Sequence, residues 1–251
     1  MSECALAQVT STEALTLYSG LVDTYHQHLC NPTTVLQQLK ALRIGLVETK
    51  ADFLAALHKD LRKSEFEATN SEYVIILDEL DYYIRHVHGH NRRRRVPVPV
   101  VALPGRAFTQ AEAKGPVLVI SPFNFPMMLA LVPFAAAMAC GNPVLLRPSS
   151  STPNSCRYLQ TLVSTYLDPV LYRCVSCSHS VADTLLAQSW GHIMFTGSVG
   201  VGKHIARCAA DTLSPVTLEL GGQSPTVVTA RANVPTAAQR VALGKAFNAG
   251  V

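Results

Sequence analysis

Three segments of this 251-residue chain hold residue types and spacings that chemistry uses. In "FTGSVGVGKHIARCAA" (195–210) a strand pattern ends at Phe195 and a glycine-rich turn follows. A helix then opens near Val199, with Ile205 and Ala209 on one face. Backbone N–H groups at a helix N-terminus, uncrowded at Gly197, Gly200 and Gly202, suit a pyrophosphate, and Ser198 adds a hydroxyl donor. The spacing is G-x-x-G-x-G and not the G-x-G-x-x-G dinucleotide fingerprint, so alone it also fits a tight strand–helix turn. In "SPFNFP" (121–126), Pro122 and Pro126 fix the backbone around Asn124, whose rigid amide can donate to a developing oxyanion. By itself this is equally a proline-bounded bend. In "PVTLELGGQSP" (215–225), Glu219 lies between Leu218 and Leu220. A carboxylate in apolar company titrates nearer neutrality, which suits a general base; the alternative is a surface glutamate on a strand edge.

These groups need elements to hold them. Residues 34–62 read as helical: Val35, Leu36, Leu39, Leu42 and Leu46 share one face, and Phe53, Leu54, Leu57 and Leu61 another. Thr69 and Glu72 have capping-box spacing, with a helix start a few residues earlier as the alternative, and Tyr73, Ile76, Leu77, Leu80 and Ile84 then form an apolar stripe. "HGHNRRRRVPVPVVALPGRAF" reads as a linker or exposed strand. From Pro116 apolar runs alternate with helical stretches. "PVLVI" (116–120), "NPVLLRP" (142–148), "LYRCVS" (171–176), "HIMF" (192–195) and "PTVVT" (225–229) are strand candidates, with a buried helix near 126–140. That alternation predicts an α/β fold with a doubly wound parallel sheet, and "SPFNFP" then sits at a strand's carboxyl end, where such sheets bind ligands.

Composition narrows the class. Apolar residues make up 48% and the net charge is +4, which predicts a folded protein and gives no reason to expect nucleic acid. Seven cysteines form no even framework, and no basic and apolar leader pattern opens the chain. Free thiols and a cytoplasmic location are therefore expected. The most apolar stretch, 125–140, is short and broken by Pro126 and Pro133, so no membrane segment is expected in this chain.

Together "SPFNFP", "GNPVLLRPS", "FTGSVGVGK" and "PVTLELGGQSP" occur in the order and approximate spacing of the aldehyde dehydrogenase superfamily. The chain resembles its class 3 or fatty-aldehyde branch over roughly 34–251 and most densely over 115–251. The resemblance implies a helical N-terminal region (1–90), a linker with bridging strands (91–113), a Rossmann-like NAD(P)-binding domain (114–214) and the start of a catalytic domain (215–251). It implies NAD or NADP as cofactor, an aldehyde as substrate and, in the family, a homodimer. In such enzymes a cysteine thiolate attacks the aldehyde, hydride passes from the thiohemiacetal to NAD(P)+, and water activated by a glutamate hydrolyses the thioester. Glu219 matches that base and Asn124 the oxyanion-steadying asparagine. Gly197, Ser198, Val199, Gly200, Val201 and Gly202 match the coenzyme turn. Where the family commonly has Lys-Pro-Ser-Glu, this chain has Arg147-Pro148-Ser149-Ser150. Arg147 can still donate to ribose hydroxyls, and Ser150 removes a carboxylate that would repel a 2′-phosphate, so NADP as well as NAD is expected. Phe123 stands where a tryptophan or tyrosine is common.

The last residues depart most. Asn248-Ala249-Gly250 match the family's Asn-Ala/Ser-Gly-Gln-x-Cys, Val251 stands where Gln is expected, and no cysteine here falls in the nucleophile's motif. The expectation is a truncated catalytic domain and no oxidation of aldehydes by the chain as it stands, with a non-catalytic nucleotide-binding or interaction fragment as the alternative, and poor solubility or reliance on a partner. Three other features have simpler readings. His86, His88 and His90 fit a solvated helix end better than a metal site. Arg92–Arg95 fit a solvated face or subunit contact better than phosphate binding. Trp190 fits packing before a strand. Cys174-Val-Ser-Cys177 has redox spacing, but it follows a strand and does not open a helix.

Overall fold

The computed structural model describes residues 8–27, 31–90 and 92–250, so Cys4, Cys30 and Val251 lie outside the described residues. The chain opens with α1 (Ser11–Gln27), α2 (Pro32–Glu48) and α3 (Lys50–Leu61). Asn31 caps α2 by accepting the Thr33 N–H at 2.9 Å, and Pro32 presets the first helical φ. Ser64 caps α4 (Glu65–Ala68), accepting the Glu67 N–H at 3.1 Å. A π-helical turn, Thr69–Tyr73, leads into α5 (Val74–His90). This corrects the capping box expected at Thr69 and Glu72. Both residues lie inside the π turn, and Glu72 is wholly buried and committed to Lys63. His86 and His88 sit in the last turns of α5, and the His86 ring lies 2.7 Å from the Tyr82 carbonyl oxygen.

Next comes an antiparallel hairpin of β1 (Arg94–Val96) and β2 (Ala107–Thr109), joined by a long loop with one 3₁₀ turn, Val100–Ala102. The α/β part follows: β3 (Val117–Ile120), α6 (Met128–Ala139), β4 (Val144–Arg147), α7 (Pro153–Tyr166), β5 (Tyr172–Cys174), α8 (His179–Leu186), β6 (His192–Gly197), α9 (Val199–Thr212), β7 (Val216–Leu220) and α10 (Val234–Ala246). Its five strands are all parallel, in the order β5-β4-β3-β6-β7.

Strand alternation divides the apolar residues between two cores. Val117, Val119, Val144 and Leu146 face α2, α3, α5, α6 and α7. Leu118, Ile120, Leu145, Ile193 and Phe195 face α1, α8 and α9. The N-terminal helices are thus built onto the sheet's two faces. Trp190 is 2% exposed and donates Nε1–H to the Leu185 carbonyl at 2.7 Å, a packing residue.

"PTVVT" forms no strand. Residues 225–229 are irregular, with Val227 81% exposed; the fifth strand is β7, drawn from the preceding motif. A strand needs a ladder partner, and the chain leaves the sheet after Gly221 and Gly222. α10 buries no side chain. At roughly 1.5–3 kcal/mol for each fully buried large apolar residue, it adds little to the stability of the described residues. None of their helices is long and apolar enough to cross a membrane.

Candidate functional site

The chain leaves β3 toward one face of the sheet and β6 toward the other, because α6 packs in one core and α9 in the other. A crevice must open between the carboxyl ends of these two adjacent strands, at the topological switch point. A cavity of about 1460 Å³ lies there. It exceeds what one small ligand fills, because it continues as a trench between α6 and the uncovered face of β6 and β7. Phe123, Asn124, Arg147, Gly197, Ser198, Gly200, Val201 and Glu219 line this single cavity, so the structure gathers eight of the expected site residues from four separate loops and strands. Val199, Gly202 and Ser150 do not line it.

The glycine turn works by leaving things out. Ser198 is the N-cap of α9, and its hydroxyl oxygen accepts the Val201 N–H at 3.4 Å; its own hydrogen remains available to donate. The Gly202 N–H goes to the Ser198 carbonyl, which leaves the Val199 and Gly200 amides without a partner in the helix. A side chain at Gly200 would meet nothing within 4 Å, so the glycine keeps the approach to those amides bare. Gly202 has another task. A Cβ there would lie 2.7 Å from Leu220 Cδ2, so this glycine lets α9 close on β7. One wall of the crevice is apolar, with Ala182, Leu186, Val201 and Ile205 from α8 and α9. At its rim the His204 ring lies 2.8 Å from the Asp183 carboxylate. Sequence reading missed this pair, which is 21 residues apart on two helices.

Arg147 ends β4. One guanidinium nitrogen donates to the Cys177 carbonyl at 3.3 Å, while its Nε is buried with no partner among the described residues. A buried, unpaired N–H is costly unless a ligand satisfies it. Ser150 is exposed just before α7.

Asn124 is half-buried, and its backbone carbonyl is held twice, by Lys63 Nζ at 3.3 Å and by Asn248 Nδ2 at 2.9 Å. Lys63 in turn pairs with Glu72 at 2.5 Å, with side chains 2% and 0% exposed. The other oxygen of Glu72 accepts the N–H groups of Met127 and Met128 at 2.9 and 3.0 Å. None of these supports was legible in sequence, since Lys63, Glu72, Asn124 and Asn248 are dispersed along the chain.

Glu219 lies opposite Thr196 on the edge strand β7, and its side chain is exposed. The apolar burial expected from Leu218 and Leu220 is absent, because alternate strand residues point to opposite faces. Among the described cysteines, Cys174 lies in β5 and desolvation holds its thiol well above the ordinary value; burial pushes Cys156 up to about 11. Neither is a nucleophilic thiolate. Cys208, 3.7 Å from His204 Nε2, is also raised, by burial and by Asp183 and Asp211.

The sequence profile of the aldehyde dehydrogenase family matches residues 30–251. Aldehyde dehydrogenase family 3 comG of Dictyostelium discoideum is 40% identical over 215 residues, covering 85% of this chain and 46% of that protein. The solved structure of Staphylococcus aureus AldH in a substrate-bound state superposes with a TM-score of 0.89 at 30% identity, over 97% of this chain and 53% of the other. The fold alone is shared with NADP-complexed glyceraldehyde-3-phosphate dehydrogenase GapN of Methanocaldococcus jannaschii, with a TM-score of 0.82 at 24% identity over 96% and 53%. The chain spans about half the length of the curated relatives it matches.

Proposed function

The chain belongs to the aldehyde dehydrogenase family, on its class 3 branch, and from that premise we propose that it forms the coenzyme-binding part of a site for NAD(P)-dependent oxidation of aldehydes. The observation that carries this is the crevice between β3 and β6, where the bare amide of Gly200 and the Ser198 hydroxyl at the N-terminus of α9 line the same cavity as the Arg147 side chain. NAD or NADP fits both places: a pyrophosphate at the N-terminus of α9 and ribose oxygens beside β4. When bound, the nicotinamide coenzyme supplies the hydride acceptor.

The residues of the chain supply the rest of the reading. The Asn124 side chain lines the cavity, where its amide can donate to an oxyanion. Glu219 faces the same cavity from β7 and is the proton acceptor for an attacking water. Neither replaces a nucleophile, and none of the seven cysteines falls in the nucleophile's motif. The 1–251 chain accordingly binds coenzyme and does not oxidise aldehydes. The exposed face of β6 and β7 and the bare surface of α10 fit contact with the part of the relatives' length that this chain does not span. A cytoplasmic location belongs to the same reading.

Fluorescence titration of the purified chain with NADH and NADPH tests the binding. Saturable quenching that Gly200→Asp weakens is expected, and a folded chain that binds neither dinucleotide would refute the reading. Coenzyme reduction by that chain in the presence of aldehyde would overturn the inactive part alone.

A further inference from the structure

The apolar wall of the crevice has a polar end. Ala182 and Leu186 of α8 and Val201 and Ile205 of α9 form a slot between the two helices. Leu186 and Ile205 are buried, which fixes the slot from both sides. Asp183 and His204 line the same cavity at the rim, one from each helix. His204 Nε2 lies 2.8 Å from Asp183 Oδ1. A carboxylate only accepts, so Nε2 carries the hydrogen and donates it. The imidazole thereby uses one of the roughly four lone-pair sites of the carboxylate, and the others can accept from a bound molecule. The same ring rests against Cys208, one turn further along α9, with Sγ 3.7 Å from Nε2. His204 is thus held between a carboxylate and a thiol, and it sets the direction of the Asp183 carboxylate. An apolar slot with a carboxylate at its rim suits a flat ring that carries an N–H donor on its edge.

Position along α9 selects the ring. Given the coenzyme function proposed above, on which the assignment rests, the Gly200 amide and the Ser198 hydroxyl hold the pyrophosphate. His204 lies four residues beyond Gly200, about 6 Å along the helix. The nicotinamide half of the coenzyme belongs beside Asn124 and Glu219, which line the cavity from β3 and β7. The adenosine half is left to run between α8 and α9, toward Asp183. Adenine presents an amino donor at its 6-position, whereas a base with a 6-carbonyl presents an acceptor there. A carboxylate accepts from the first and repels the second.

We propose that Asp183 reads the 6-amino group of the coenzyme's adenine, with His204 as the positioning residue that aims its carboxylate. The site then selects an adenine dinucleotide over its 6-carbonyl counterpart.

Fluorescence titration with NADH and with reduced nicotinamide hypoxanthine dinucleotide tests this. The two carry the same nicotinamide and differ in the base, so one signal reports both. The parent is expected to bind NADH roughly tenfold more tightly; both rim side chains are more than half exposed, which keeps the preference below that of a sealed site. D183A is expected to lose the preference by weakening NADH. D183N, whose amide offers a donor as well as an acceptor, is expected to equalise the two by strengthening the hypoxanthine form. H204A leaves the carboxylate unaimed, and its preference is expected to fall to roughly threefold. A pair that merely ties the helices together would shift the melting of these variants and leave the ratio of the two affinities unchanged, which overturns the proposal. So does equal binding of the two dinucleotides by the parent, with the coenzyme function left standing. A folded chain that binds neither refutes the coenzyme function, and the base readout with it.

Discussion

Glu72 and Lys63 form an ion pair sealed from water, Oε1 to Nζ at 2.5 Å, and through it the helical N-terminal segment grips the loop that carries Asn124. Glu72 Oε2 takes the amides of Met127 and Met128 at the start of α6, and Lys63 lies 4.3 Å over the Phe125 ring. Removing either partner strands a buried charge, and removing Glu72 also frees two amides. Lys63→Ala or Glu72→Ala should each cost about 3–5 kcal/mol in urea unfolding, whereas Lys63→Met with Glu72→Leu should cost less than the two single changes added together. A loss under about 1 kcal/mol in Glu72→Ala would show that the pair is not structural.

Gly200 offers a change whose effects on stability and binding have opposite signs. An aspartate there meets open space and places a negative charge in the first turn of α9, worth about 0.3–1 kcal/mol to the helix. The same charge repels a pyrophosphate. Gly200→Asp should melt no lower than the parent, yet bind NADH at least roughly tenfold more weakly, a difference of about 1.4 kcal/mol. Unchanged affinity would move the phosphate site elsewhere.

Arg147 and the missing carboxylate at Ser150 bear on the coenzyme's 2′ position. NADPH and NADH are expected to bind within about tenfold of each other, and Arg147→Gln to weaken NADPH more than NADH by roughly tenfold. A strong preference of the parent chain for NADH would contradict this.

His192 sets a pH dependence. Its Nε2 lies 2.9 Å from Thr217 Oγ1, and desolvation together with Lys114 holds the imidazole below the ordinary 6.5. The unfolded chain therefore takes up the proton first as pH falls. The contribution is fully present above 6.5 and is lost as the pH drops through the depressed folded value. Urea midpoints should decline between about pH 7.5 and about pH 5, and His192→Asn should flatten that slope. An identical slope in the variant would assign the decline to other groups.

How far the sequence could be read depended on the range of each interaction. β3, β4, β5 and β6 and the start of α9 matched their expected places, because a buried strand and a capped glycine turn are encoded by neighbours in the chain. Residues 225–229 misled because valine-rich character says nothing about whether a pairing strand is adjacent. Thr69 and Glu72 misled for a related reason. Their spacing is a cap only if the helix starts there, and the helix starts earlier, at Glu65 behind the Ser64 cap, which is the alternative the sequence left open.

The sequence by itself determined the family, the alternation that builds the sheet and the chemical types at Asn124, Arg147, Glu219 and the glycine turn, since these rest on local spacing and residue identity. Only the tertiary structure decided which of them share a cavity, that Glu219 is exposed, and that Lys63, Glu72 and Asn248 converge on the Asn124 loop. It alone set His204 of α9 beside Asp183 of α8 at the rim of the crevice. Burial and charge pairing are properties of what packs against a residue, and those partners come from distant parts of the chain.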